Sequence, residues 1–244
     1  MHDVATMVWK EWREFREQLF SWRRGGLSAM ILALVLGIVT PAQMGPDWLY
    51  SSFMMAYWPF VAASMVSSLI SDSVAGERER HTLETLLASR LSDASILVGK
   101  IVAAVLYGLA FALANLSIGW VTVNVLHGQA GLLPFPLAHL MTIIGLTALT
   151  SSLVAGVGVF ISLRAATVKQ AQQTFGIAIV VCLMGPLLIF QSLSDRSRMR
   201  LFAFVAGTDR DRLVLYIAAT LLVLSLLIFT AALSRFRRGK LTLD

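Results

Sequence analysis

Between Asp72 and Lys100 the sequence DSVAGERERHTLETLLASRLSDASILVGK gathers five carboxylates and four basic side chains, in a chain that is otherwise largely apolar. Such a segment could bind phosphate, run acid–base chemistry or pair with a partner of complementary charge. Phosphate binding by a GxxxxGK[ST] loop is excluded: Gly99-Lys100 has Ala94 where the first glycine belongs and Ile101 where Ser or Thr should follow. The chain is therefore not itself an ATPase. Nucleophilic catalysis within a membrane would need a serine such as Ser28 and a histidine on a later span. The four histidines, His2, His81, His127 and His139, all lie outside the last two apolar runs. His127 and His139 flank one loop without a carboxylate or thiolate close in sequence, and the lone Cys182 sits inside an apolar run as a packing residue. No catalytic, cofactor or metal-ligating residue is assigned.

Docking is what remains. Glu77, Arg78, Glu79, Arg80 and Glu84 cannot lie in hydrocarbon, where one centred charge costs about 2.5–3.5 kcal/mol, so they lie in water. Leu83, Leu86, Leu87 and Leu91 then recur at helical spacing, which predicts a short helix with one apolar stripe and one charged face. Ser92-Asp93 reads as the N-cap and first turn of the next helix, running through Gly99 and Lys100 into the membrane.

The order Asp72, Gly76-Glu77-Arg78-Glu79-Arg80, Thr82-Leu83-Glu84, Leu86-Leu87 and Gly99-Lys100 resembles the cytoplasmic loop of type-2 ABC exporter permeases. Two positions depart from that pattern: His81 stands where the family usually has Gly, and Arg90-Leu91 where a Pro is common. The resemblance implies a soluble ABC ATPase subunit as partner, with ATP and magnesium held there and no cofactor in this chain. It also implies a second copy of the permease. The ATPase-coupling residues are then Glu77, Arg78, Glu79, Arg80, Thr82, Leu83, Glu84, Leu86 and Leu87.

These residues need a scaffold, and composition says which kind. The 244 residues are 57% apolar and 14% charged, with a mean hydropathy of +0.75 and long apolar runs; this predicts an all-α polytopic membrane protein, a single permease domain over residues 1–244. The net charge of +6 does not point to nucleic acid, because the basic residues cluster at the ends of apolar runs, where bilayer orientation explains them. Over residues 4–24, Val4, Val8, Trp12, Phe15, Leu19 and Trp22 share an arc while Lys10, Arg13, Glu14, Arg16 and Glu17 point elsewhere. That is an interfacial amphipathic helix, the elbow helix that the resemblance implies, within a segment 1–24 expected to be uncleaved. Six transmembrane helices are expected at 27–44, 49–70, 101–126, 137–163, 175–193 and 213–233, with the cytoplasmic coupling loop at 71–100 between spans two and three. With the N-terminus inside, fifteen Lys and Arg fall on the inner side and five (Arg196, Arg198, Arg200, Arg210 and Arg212) on the outer. The bias favours cytoplasmic termini in a prokaryotic cell membrane.

Gly185-Pro186 interrupts the fifth run and predicts a kinked or re-entrant span followed by an outer interfacial segment at 194–212. Pro59, Gly185 and Pro186 are candidate hinges. Ala29, Ala33 and Gly37 in the first span, and Ser151, Ser152, Ala155 and Gly156 in the fourth, allow close helix approach. Met54, Tyr57, Trp58 and Ser64 in the second span, with Asn115 and Asn124 in the third, are candidate passage-lining residues; Met and aromatic side chains adapt to amphiphilic or hydrophobic cargo. An ion-coupled secondary transporter or channel is the alternative. It would require ionisable groups inside the bundle, and only His139 lies within a span, near its outer end.

Overall fold

Helix is the sole regular structure among the described residues, the form in which an apolar chain satisfies its own backbone in hydrocarbon. The computed structural model describes residues 2–20, 27–82, 90–128 and 131–235. In chain order the helices are α1 (His2–Phe20), α2 (Leu27–Leu34), α3 (Thr40–Met44), α4 (Asp47–Tyr50), α5 (Ser52–Glu79), α6 (Asp93–His127), α7 (Leu137–Ser162), α8 (Val168–Ser192), α9 (Asp195–Gly207) and α10 (Arg210–Arg235). A π-helical turn, Val35–Val39, joins α2 to α3. Pro41 accounts for the disturbance, since it cannot donate to the Gly37 carbonyl one turn back. The Thr122 hydroxyl of α6 lies 3.1 Å from that carbonyl and supplies a donor.

Among the described residues five helices, α5, α6, α7, α8 and α10, are long and apolar enough to cross a membrane. The chain is a multi-pass membrane protein. Met30–Met44, within the expected first span, is a shorter apolar helix and does not join the five. The other expected spans exist, with shifted ends. α5 runs nine residues past the predicted end at Ile70, to Glu79, so the GERE charges are the last turn of a helix and not a free loop. α6 begins at Asp93, capped by Ser92 Oγ accepting from Ser95 N at 3.1 Å, as the sequence predicts. α8 starts at Val168, seven residues earlier than expected, and stays helical through Pro186. α9 follows it within the 194–212 stretch and has no buried residue.

α5 is the centre of the bundle, flanked by α6, α7 and α8; α10 lies on α7 and α1 on α6. Toward its N-terminal end Trp58, fully buried, meets Trp48 edge to face, with ring centroids 6.1 Å apart. Gly119 of α6 makes room for that indole: a Cβ there would collide with the Trp48 ring. Toward its other end Val66, Ile70, Ile96, Leu97, Ala155 and Val159 form a second core, and Gly158 of α7 admits Ile70 in the same way. α8 and α10 remain largely uncovered, 6% and 0% of their most apolar stretches being buried. Cys182, expected as a packing residue, is exposed on α8.

Candidate functional site

The Glu79 end of α5 is where the polar residues converge. Lys100, the first charged residue after the helix start of α6, is 1% exposed and directs its ammonium at three acceptors. They are Glu11 Oε1 of α1 at 2.8 Å, the Ser73 carbonyl of α5 at 2.9 Å and Glu77 Oε1 of α5 at 3.1 Å. The first two are hydrogen bonds and the third is an ion-pair contact. Lys10 of α1 closes the group from its exposed edge, 2.7 Å from Glu77 Oε1, 3.2 Å from Glu14 Oε1 and 3.5 Å from Glu11 Oε1. Burial pushes the Lys10 ammonium down, but Glu11, Glu77 and Glu14 more than reverse it and hold its pKa above the ordinary lysine value. Lys10 and Lys100 balance the two buried carboxylates, Glu11 and Glu77, and Glu14 adds a further negative charge at the exposed edge. That balance matters because breaking a buried pair typically costs about 3–5 kcal/mol.

The α1 helix folds here because Met7, Glu11 and Phe15, four residues apart, lie on one face, and that face is buried. Met7 sits against Gly99 and Phe15 meets Tyr107 edge to face at 5.6 Å, sealing the ion pairs from both sides. Sequence reasoning placed Lys10 and Glu14 on the solvated side of α1 and gave Glu11 no role. The available signal was Lys100 itself, a single charge followed by a long run without carboxylates, which needed an acidic partner from elsewhere.

The next two residues of the motif brace the opposite flank. Arg78 donates to the Leu163 carbonyl at 3.2 Å and the Ala165 carbonyl at 3.1 Å, meeting the orphan acceptors where α7 ends. Glu79 Oε2 accepts from Val168 N at 3.1 Å, where α8 begins. Each charge has the sign the adjoining helix dipole favours. Adjacent side chains of α5 thus hold both ends of the short α7–α8 connection. Ser162, a residue the sequence did not single out, adds a third tie: its hydroxyl accepts from Val74 N and Ala75 N at 3.2 and 2.8 Å. Arg80 pairs with Asp72 at 2.8 Å along the surface of α5.

α5 then ends in a six-to-one turn. Thr82 N donates to the Glu77 carbonyl at 2.8 Å and His81 N to the Arg78 carbonyl at 3.1 Å, with His81 at φ 57°. This is the helix stop that prefers glycine at its left-handed position, which gives His81 in place of the usual Gly a physical meaning. Arg80, His81, Thr82 and Arg90 are exposed. Leu83, Glu84, Leu86 and Leu87, expected on a coupling helix, lie outside the described residues.

The candidate passage residues divide. Met54, Trp58 and Asn115 are buried in the chain's own core, and the Asn124 amide clasps the following loop, accepting from Leu133 N at 2.7 Å. Tyr57 and Ser64 are half-buried, on the side of α5 that also carries the exposed Phe53 and Phe60. Pro59 is buried within α5, while Pro186 is exposed on α8. His127 lies against Gly45, whereas His139 Nε2 is 3.0 Å from Arg210; the two histidines have different neighbours.

Residues 36–234 match the family model described as ABC-2 family transporter protein. The ABC transporter permease protein NatB of Bacillus subtilis (strain 168) is 29% identical over 139 residues, 54% of this chain and 35% of the relative. The match thus spans about a third of that protein's length. The charged motif, the apolar helices and the extent of the family match agree: this chain belongs to the ABC-2 family of transporter proteins, whose members are membrane-embedded, non-catalytic transport subunits.

Proposed function

We propose that the chain is the membrane-spanning subunit of an ATP-driven exporter, energised by a separate soluble ATPase that docks on residues 72–91. The observation that carries this reading is the charged joint beneath that stretch. Glu77 ties α5 to α1 and α6, while Arg78 and Glu79 tie it to the ends of α7 and α8. A force on the exposed Arg80, His81 and Thr82 would reach five helices through this joint. The inward-facing charges act as transmitters, and Arg80, Thr82 and the segment 83–89 with Leu83, Glu84, Leu86 and Leu87 supply the docking surface. Closing and opening of the ATPase re-aims the passage by rigid-body movement of the helices attached to this joint, with Pro59, Gly185 and Pro186 as flexing points.

In this account Leu27–Met44, with its π turn, completes six spans; the termini and the 71–100 loop face the cytoplasm of a prokaryotic cell. The working unit contains two copies of the chain. The uncovered faces of α5 and α8 support a passage between those copies, bordered by Phe53, Tyr57, Phe60 and Ser64, with amphiphilic or hydrophobic cargo. The ion-coupled alternative is the weaker reading, since the buried charges lie at helix ends and already neutralise one another.

The test is biochemical. The chain purified alone should neither bind nor hydrolyse ATP, and when expressed with its genomic complement it should copurify with a soluble ATPase whose turnover it alters. ATP turnover by this polypeptide alone would remove the reading.

A further inference from the structure

α1 has a second face that the joint does not use. Trp9, Trp12, Arg13 and Arg16 recur at i, i+3, i+4 and i+7, one stripe of a helix, with Trp9, Arg13 and Arg16 opposite the buried Met7, Glu11 and Phe15 and Trp12 at the flank, exposed although the sequence groups it with Phe15. All four are exposed, Trp9 at 65%, and together they line a shallow cleft of ≈180 Å³. The Arg13 guanidinium lies 5.8 Å from the centre of the Trp9 ring and 3.4 Å from Glu17 at the margin of the stripe. Large rings left in the open on a helix whose other face is fully seated call for an occupant.

Geometry sets the depth of this stripe. α6 has 35 residues and is therefore about 52 Å long, against about 30 Å of hydrocarbon. Its first turns must extend beyond the apolar layer. α1 lies beside those turns, Met7 at Gly99 and Phe15 at Tyr107. The stripe consequently faces the headgroup zone, where indole rings settle and where guanidinium groups meet lipid phosphate.

We infer that the Trp9–Trp12–Arg13–Arg16 face binds the headgroup of an anionic phospholipid, the arginines taking the phosphate and the indoles the glycerol and upper chain region. The site holds the outer side of α1 in the leaflet while its inner side is locked to α5 and α6. It is independent of whether an ATPase docks, so each idea can fail without the other.

The experiment uses the full chain, reconstituted in phosphatidylcholine nanodiscs with or without a minority of phosphatidylglycerol, and mass spectrometry of the lipid that stays bound after detergent extraction. Phosphatidylglycerol should be enriched over its bulk proportion, and the Arg13→Gln, Arg16→Gln variant should lose most of that enrichment, roughly fivefold for each interfacial arginine removed. Thermal unfolding in neutral lipid should be unaltered, because both side chains lie off the bundle. Arg13→Lys with Arg16→Lys keeps the charge and should retain most of the enrichment. Equal enrichment in the glutamine variant, or displacement of the lipid by inorganic phosphate alone, would overturn the assignment.

Discussion

His81 occupies a left-handed backbone conformation, φ 57°, that costs a non-glycine residue about 1–2 kcal/mol. Glycine would remove the cost while adding some freedom to the unfolded chain, so His81→Gly should stabilise the protein by roughly 0.5–1 kcal/mol. A lower unfolding temperature for that variant in detergent would mean the imidazole makes a compensating contact. Lys100 predicts the opposite behaviour. Lys100→Met leaves the buried Glu11 and Glu77 with Lys10 as their shared cation and should destabilise by about 3–5 kcal/mol. Adding Glu11→Gln should recover part of the loss. A double variant as unstable as the sum of the singles would show that the pair is not coupled.

At the scale of elements, α5 owes its influence to three consecutive side chains, of which Glu77 turns toward α1 and α6 and the next two toward the α7–α8 connection. Arg78 holds the end of α7 and Glu79 the start of α8. Removing either acts like the loss of a helix cap, about 0.5–2 kcal/mol, and should act locally. Glu79→Ala should speed hydrogen exchange at the Val168 amide and its neighbours while leaving α10 unaffected; uniform acceleration throughout the chain would contradict a local brace. The sequence made much of this legible: the long apolar runs gave α5 to α8 and α10, and Ser92-Asp93 gave the start of α6. It misjudged where α5 ends, because the rule that charges avoid hydrocarbon places Glu77 in water but does not forbid a helix from carrying it there. It also could not find Glu11, whose partner lies 89 residues away. An i, i+4 row of Met7, Glu11 and Phe15 reads as a broken apolar stripe until Lys100 is set against it. Trp58 and Asn115 show the converse, since an aromatic or amide in a span looks alike from sequence whether it borders a passage or fills the core.

For the whole molecule, the charged joint sits at one end of a bundle whose α8 and α10 faces are bare. In a bilayer those faces meet lipid or a second copy, and the exposed turn after α5 meets the partner that the ABC-2 family membership leads us to propose. The central claim is that force enters the bundle through residues 80–91. The most direct measurement places a photo-crosslinking amino acid singly at Thr82, at Arg90 and, as a control from the opposite end of α6, at Leu132, which is 72% exposed. After irradiation of membranes containing the assembled transporter, positions 82 and 90 should capture a soluble ATPase and position 132 should not. Capture at 132, or an ATPase that copurifies yet is never captured at 82 or 90, would contradict the account.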